Sequence, residues 1–152
     1  MTTVEQAMCG LFTQLTAASQ EDGITPAFIT TGRRLKLWND VSAEHKPALF
    51  LIETHEQHTP QPPQGAPSKV LIKAAAIIYT ATNNPEAVPA TQLNNAIESI
   101  KAQLLPDDFG RNVYTIGGLA YRCWIEGQLV KVPGDMDGLG MAIVPVNILL
   151  VG

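Results

Sequence analysis

The chain has 152 residues, enough for one domain to bury a core without help from disulfides or metals. Its net charge of −4 and its one short basic run, Arg33-Arg34-Leu35-Lys36, argue against nucleic-acid binding through a basic patch. Two cysteines exclude a disulfide framework, and the longest apolar run, residues 74–78, is too short to span a membrane.

The surface chemistry points to contacts with other proteins. Charged residues make up 16% of the chain, against an average of about 25%, which leaves few charges to coat the surface of a monomer. One explanation is a compact core with uncharged loops, and the other is a surface covered by partner subunits. The first residues show no secretory signal, so we expect synthesis in a cytoplasm.

The first predicted element is an amphipathic helix from about Thr3 to Ser19. Thr2 and Glu5 have the spacing of a capping box, in which each side chain satisfies a free amide at the helix start. The apolar residues repeat every three or four positions, as expected of one buried stripe: Val4, Ala7, Met8, Leu11, Leu15 and Ala18.

Three strands are predicted next. A mixed pattern over residues 24–38 indicates a strand that runs into Gly32, and a short apolar run predicts a second strand over residues 48–54. Residues 70–81 are apolar at both alternating positions except for Lys73, which is typical of a central strand covered on both faces.

A proline-rich segment separates the second and third predicted strands. Residues 59–67 read TPQPPQGAP, and proline cannot donate to a sheet ladder. We therefore predict a long loop or arm over residues 59–69, with Pro62 and Pro63 available to a partner.

The rest of the chain predicts a second helix and further strands. Pro89 suits the first turn of a helix over residues 89–104. Strands are expected near residues 114–116, along the alternating stretch 119–132 and over residues 141–151, with Asp137-Gly138 as the turn before the last. The order predicts one α+β domain, residues 1–152, with a mainly antiparallel sheet and two helices on one face.

The sequence offers no recognisable catalytic, cofactor or metal motif. His45, His55 and His58 cluster near one loop, but a loop position explains them without a metal. Asp135 and Asp137 resemble the opening of a calcium loop, yet no glutamate follows at the required spacing, and a hairpin turn accounts for them. Serine elbows and phosphate-binding glycine loops are missing. We predict no enzymatic activity, no cofactor and no bound metal.

Two stretches carry side chains suited to partner binding. If Cys123 and Ile125 cover the core, Trp124 lies with Arg122 and Glu126 on the opposite face, and Trp and Arg are common at binding hot spots. A helix or loop covering Trp124 is the alternative.

The second stretch alternates basic and apolar residues. Arg33, Arg34 and Lys36 lead to Trp38 with period two, which suits a half-exposed strand along an acidic partner. An edge strand protected by its charges explains the same pattern.

Several segments together resemble tail proteins of long-tailed bacteriophages. The resemblance covers most of the chain from residue 34 onward and lies in the order of the following runs: Arg34 to Phe50 with Trp38-Asn39-Asp40-Val41 and Lys46-Pro47-Ala48-Leu49-Phe50-Leu51, then Ile77-Ile78-Tyr79, Leu93-Asn94, Thr115-Ile116-Gly117-Gly118, Tyr121-Arg122-Cys123-Trp124-Ile125-Glu126-Gly127 and Ala142-Ile143-Val144-Pro145-Val146. The group it resembles most is the tail terminator, or tail completion, proteins.

The resemblance implies a virion assembly protein in the tail. Tail terminators are α/β subunits that form a homohexameric ring, cap the tail tube and join it to the head-tail connector. The implied partners are other copies of the chain, the tail tube protein and the connector protein. Another head-tail joining or neck protein, or an unrelated soluble protein-binding domain, is the alternative.

Overall fold

A computed structural model describes residues 2–20, 22–59, 64 and 68–152. Pro62 and Pro63 lie outside the described residues, so the proline-rich arm over residues 59–69 stays a prediction. The main elements follow in chain order: α1 (Val4–Thr16), β1 (Thr30–Gly32), β2 (Ala48–His58), β3 (Lys69–Ala81), α2 (Pro89–Gln103), β4 (Arg122–Ile125), β5 (Val130–Val132) and β6 (Leu139–Val151). This is the predicted α+β fold, with both helices on one face of a mostly antiparallel sheet.

The sheet has six strands in the order β1-β2-β3-β6-β4, and β5 also pairs with β6. Only β1 and β2 run parallel among the described pairs. The long central pair, β3 and β6, is in register from Lys69 opposite Val151 to Ala81 opposite Leu139. β4 and β5 therefore share the outer edge of β6, with β4 along residues 146–149 and β5 along residues 141–143.

The N-terminus of α1 is capped one residue later than the sequence suggested. The Gln6 amide donates to Thr3 Oγ1 (3.1 Å) and the Thr3 amide donates to Gln6 Oε1 (2.9 Å), so the capping box is Thr3–Gln6 and the Thr2–Glu5 prediction is wrong. Both pairs fit the capping pattern, and placing the helix start at Val4 selects the second. Among the described residues, neither helix is long and apolar enough to cross a membrane.

The main core lies between the sheet and the two helices. Met8, Leu11 and Leu15 of α1 and Leu93 and Ile100 of α2 are 0% exposed. They pack on the alternate side chains of the long strands, and each such burial stabilises the fold by roughly 1.5–3 kcal/mol. The sheet side chains in this core include Leu49, Leu51, Ile72, Ala74, Ala76, Ile78, Ala142, Val144, Val146, Ile148 and Leu150.

The opposite side of the sheet, here called the open face, carries a much smaller core. Phe50, Ala75, Ile77 and Tyr79 are buried there, together with Ala48 and Val41. A short 3₁₀ turn, Trp38–Asp40, lies over one end of this cluster. Neither described helix contributes to that cluster, so the rest of the open face lacks a helical cover in the described part of the chain.

Two predicted strands are shorter than expected. β1 ends at Gly32, and residues 33–37 form bends and irregular backbone, so the predicted strand through Arg33 and Trp38 is wrong. The stretch 119–132 splits into β4 and β5, because Gly127 adopts a φ of +110° and breaks the alternation. Leu119 and Tyr121 lie in turns and bends before β4 begins, are 37% and 49% exposed, and do not share the buried face with Cys123.

One predicted strand is longer. β2 was expected to stop near residue 54 and instead reaches His58. The pairing with β3 shifts register between Glu53 and His55, which is a β-bulge at Thr54. Past the bulge the β2 side chains are exposed, and His55 lies opposite Lys73 on the open face.

Candidate assembly interface

Trp124 lies on the open face, at the edge of the sheet. Side chains alternate along a strand, so Cys123 and Ile125 pack into the helix-covered core while Arg122 and Trp124 project from the other side. The Cys123 amide donates to the Tyr114 carbonyl (2.7 Å), which pins the outer side of β4. The sequence placed Trp124 with Arg122 and Glu126, and the structure brings these three together. Their role in partner binding stays a prediction.

Glu126 organises the polar part of this face. Its Oε2 atom accepts hydrogen bonds from Trp124 Nε1 (2.8 Å) and from Asn147 Nδ2 (2.9 Å). These bonds, led by the one from Trp124, lower the pKa of the Glu126 carboxyl, and the charges of Arg122 and Lys73 add to the effect. The Arg122 guanidinium lies 4.8 Å from the centre of the Trp124 ring.

These contacts preorganise Trp124. The indole is held at its nitrogen by a carboxylate and on its face by a cation, while the side chain stays half-buried and accessible. A fixed aromatic side chain loses little conformational entropy when a partner covers it. The Glu126 Oε2 atom already accepts two hydrogen bonds inside the subunit, so a partner can cover it without leaving it unbonded. The arrangement is therefore suited to binding a protein surface.

An apolar surface extends from Trp124 across the sheet. Val130 and Val132 of β5 are 46% and 50% exposed. They lie opposite Ile143 and Met141, and the β5 side chain between them, Lys131, reaches α2 on the other side of the sheet (Nζ to Asn94 Oδ1, 2.9 Å). Alternation along β6 adds further half-buried side chains to the same surface: Pro145, Leu149 and Val151.

The sequence search missed this apolar surface, although a signal was present. β6 is apolar at both alternating positions, which requires a cover on each face. The sequence predicted two helices, and both were expected on one face. When a strand has a second apolar face and no second layer covers it, that face indicates a contact surface.

Trp38 has a different environment. It is half-buried over the small open-face core, and Lys46 Nζ lies 4.1 Å from the centre of its ring. Lys46 is itself buried, and desolvation lowers the pKa of its ammonium group. The Tyr79 hydroxyl donates to the Lys36 carbonyl (2.8 Å) and ties the preceding segment to the sheet. Trp38 therefore has internal contacts that hold this segment in place.

Arg33 is also held inside the subunit. Its guanidinium pairs with the carboxylates of Glu5 in α1 and Glu53 in β2, the second at 3.0 Å. The pairing with Glu5 raises the pKa of Arg33. Its Nε atom is buried without a hydrogen-bond partner among the described residues. Arg34 and Lys36 are exposed, so within the basic run they are the side chains free to meet a partner.

The histidines considered for a metal site lie in two elements: His45 ends the short 3₁₀ turn Ala43–His45, and His55 and His58 lie in β2. Within β2, His58 Nε2 lies 2.5 Å from the Oε2 atom of Glu56, two residues earlier. Asp137 accepts from the Leu139 amide (3.0 Å), as expected of a turn. Across the described residues, three or more His, Cys, Asp or Glu side chains do not gather at any point where they could hold a metal ion.

Comparison with known proteins shows a similarity of fold. No family model matches the chain, and no curated protein matches it in sequence. In structure it is similar to a chain of the virion of a native gene transfer agent particle, with a TM-score of 0.52 and 10% sequence identity. The match covers 95% of this chain and 94% of that chain, so the two share their fold over nearly their whole length.

Proposed function

We propose that this chain is a structural protein of a phage-like virion that works by packing against other virion subunits. The observation that carries the proposal is the full-length match in fold to a chain of a gene transfer agent virion. The open face supports it independently, because an apolar sheet surface with a preorganised Trp124 favours binding to protein.

Within that class the chain acts as a tail terminator. It forms a ring of identical copies, caps the tail tube and joins the tube to the head-tail connector, and it resides in the tail after synthesis in the host cytoplasm. The support is the ordered resemblance to tail terminators from residue 34 onward, together with a fold shared with a virion protein of nearly the same extent. The open face is the surface we assign to the tail tube protein.

Catalysis plays no part in this function. Burial raises the pKa of the Cys123 thiol to about 12, so its sulfur stays protonated at neutral pH and is a poor nucleophile. Tyr114, which neighbours it, also has a pKa raised by burial. The carboxylates of Asp107 and Glu126 are occupied by hydrogen bonds from Thr115, Gly117, Trp124 and Asn147.

Reconstitution with tail tubes tests the proposal. The purified chain is mixed with tail tube protein from the same gene neighbourhood and followed by electron microscopy and by light scattering during tube growth. A tail terminator forms rings at tube ends and stops elongation at substoichiometric amounts. Binding to head connectors without any effect on tubes would instead assign a neck or head-tail joining protein, and a monomer that binds neither would contradict the proposal.

A further inference from the structure

Lys46 is a buried lysine without a counter-ion among the described residues. It is 7% exposed, and its Nζ atom lies 4.1 Å from the centre of the Trp38 ring. The ion pairs of the described residues do not include it. Lys101, a lysine at the surface, pairs with Glu98 at 3.0 Å. The most deeply placed ammonium group is therefore the one that lacks an anion.

This arrangement is costly for the folded subunit. Removing a charge from water is unfavourable, and a contact with an aromatic ring recovers only part of that cost. Desolvation lowers the pKa of Lys46, and no carboxylate raises it again. Asp40 and Glu44 lie in the short turns Trp38–Asp40 and Ala43–His45, and neither pairs with Lys46 in the described structure. The Lys46 ammonium group is thus available to an external anion.

The ammonium group can be reached from outside. Within the described part of the chain, the fully buried side-chain nitrogen without a hydrogen-bond partner is Arg33 Nε, not Lys46 Nζ. Lys46 therefore buries its carbon stem and keeps an opening to solvent at its Nζ atom. A carboxylate that enters this opening forms a charge-assisted hydrogen bond in a partly desolvated place, where salt screens it less than at an open surface.

The segment before Trp38 extends this site. Leu35 and Leu37 are 42% and 73% exposed, and Arg34 and Lys36 are exposed and form no ion pair with a described residue. The Tyr79 hydroxyl donates to the Lys36 carbonyl (2.8 Å) and fixes the segment before any partner arrives. These side chains form what is here called the Lys46 surface: Arg34, Leu35, Lys36, Leu37 and Lys46.

The chemistry of the Lys46 surface selects an acidic protein segment. It offers three cations without counter-ions in the described structure, and two exposed leucines lie beside them. Carboxylates match the cations, and an apolar side chain of the same segment matches the leucines. Nucleic acid fits less well, because the chain has a net charge of −4 and phosphate backbones are bound by larger sets of Lys and Arg.

We propose that the Lys46 surface binds an acidic segment of another protein of the assembly, with one carboxylate on Lys46 Nζ and an apolar side chain against Leu37. The inference takes from the proposed function only that the partner is another virion subunit. Trp38 stays an internal support of this site, since it holds the Lys46 stem from below.

The Lys46 surface is separate from the surface around Trp124. Trp124 lies opposite Asn147 of β6, whereas Tyr79, which anchors the Lys46 surface, lies opposite Met141 of the same strand. At about 3.3 Å per residue these two points are roughly 20 Å apart. One subunit can therefore hold a different segment at each place.

A titration with a synthetic peptide tests the site. The probe is the acetylated and amidated peptide Glu-Glu-Leu-Glu-Glu, and the control peptide carries Gln in place of every Glu. The full-length chain is labelled with ¹⁵N, and its two indole N–H signals are followed by NMR. The acidic peptide should shift the Trp38 signal saturably and leave the Trp124 signal in place, and the Gln peptide should shift neither.

Two lysine variants show whether Lys46 carries the binding. Lys46→Met keeps a long stem over Trp38 and removes the charge, so it should weaken peptide binding at least about tenfold. Its melting temperature should be unchanged or higher, because an unpaired buried charge is lost. Lys131→Met makes the same charge change at an exposed lysine and should alter binding by less than about twofold.

The proposed site would be overturned by a Trp38 signal that does not shift, or by equal affinity of Lys46→Met and the wild-type chain. A single-stranded DNA oligonucleotide that bound more tightly than the peptide and depended on Lys46 would also overturn it, in favour of nucleic acid. The isolated chain suffices for these measurements. If it binds the peptide through Lys46 and neither forms rings nor caps tail tubes, the site stands and the proposed tail-terminator function fails.

Discussion

The two faces of the sheet are built from similar residues and differ in what covers them. On the helix-covered face, Ile148 is 0% exposed beneath α1 and α2, whereas its neighbour Leu149 points to the open face and stays half-buried. Both are large and aliphatic. The difference teaches that apolar character alone does not identify the core of this subunit, and it supports our proposal that a partner covers the surplus apolar face.

The largest expected effect separates these two neighbours on β6. Ile148→Ala should lower the free energy of unfolding by about 2–5 kcal/mol, because it opens a cavity in a closed core. Leu149→Ala should cost about 1 kcal/mol, since its side chain is already part-exposed, and should instead weaken binding to tail tubes. Chemical denaturation and tube co-sedimentation measure the two quantities. Equal losses of stability would show that the open face is covered within the subunit.

The next test uses the two tryptophans. Trp124→Ala should weaken tube binding by about 2 kcal/mol, as for a hot-spot residue, with a smaller loss of stability. Trp38→Ala is the matched control, because Trp38 covers an internal cluster with Lys46 and should mainly lower the melting temperature. Isothermal titration with tail tube protein and thermal unfolding distinguish them. A large drop in melting temperature for Trp124→Ala with unchanged binding would place Trp124 in the core.

A smaller effect concerns a loop on the helix-covered side. Desolvation alone would raise the pKa of the Asp107 carboxyl, but bonds from Gly117 and Thr115 outweigh it and leave the pKa below its ordinary value. The carboxylate therefore stabilises the fold above about pH 4, and this contribution is lost as the pH falls through the lowered pKa. Asp107→Asn should cost about 1 kcal/mol at pH 7, and this cost should shrink as the pH falls through the lowered pKa.

Urea denaturation of both proteins across that range checks the sign of this effect. Asn keeps one acceptor oxygen for Thr115 but cannot accept from the Gly117 amide with its NH₂ group. A stability difference that grew as the pH fell would contradict the proposed role of the carboxylate.

The smallest effect on stability is expected from the proline-rich arm. The Thr59 amide donates to the Lys69 carbonyl (3.2 Å), so the described ends of the segment are already adjacent. Replacing residues 60–67 with a four-residue turn should change the free energy of unfolding by less than about 1 kcal/mol. It should weaken ring formation or tube binding if the arm contacts a neighbour. Unaltered assembly on tail tubes would show that the arm is not part of the interface.

Regular periodicity made the large elements predictable. α1, α2, β3 and the last strand were placed within a few residues, because their apolar spacing persists over ten or more positions. The capping box of α1 was misplaced by one residue, since Thr2 with Glu5 and Thr3 with Gln6 have the same spacing. Local patterns of this kind do not choose between adjacent registers.

The segment after β1 shows why the candidate site was only partly predictable. Alternating basic and apolar residues from Arg33 to Trp38 suit a strand. Instead, the Arg33 guanidinium forms ion pairs with Glu5 and Glu53, which are distant in sequence. The grouping of Arg122, Trp124 and Glu126 could be predicted from the sequence, because it depends on side-chain alternation along one segment. Val130 and Pro145 join that surface only through the pairing of β4 and β5 with β6, which sequence alone does not specify.

The central claim is that the open face becomes buried against another virion protein. Hydroxyl-radical footprinting with mass spectrometry tests it by comparing the free chain with the chain bound to tail tubes. We predict that Trp124 and Met141, on the open face, lose most of their labelling on binding, while the exposed Met136 keeps its labelling. Unchanged labelling of Trp124 and Met141 in tube-bound protein would contradict the claim.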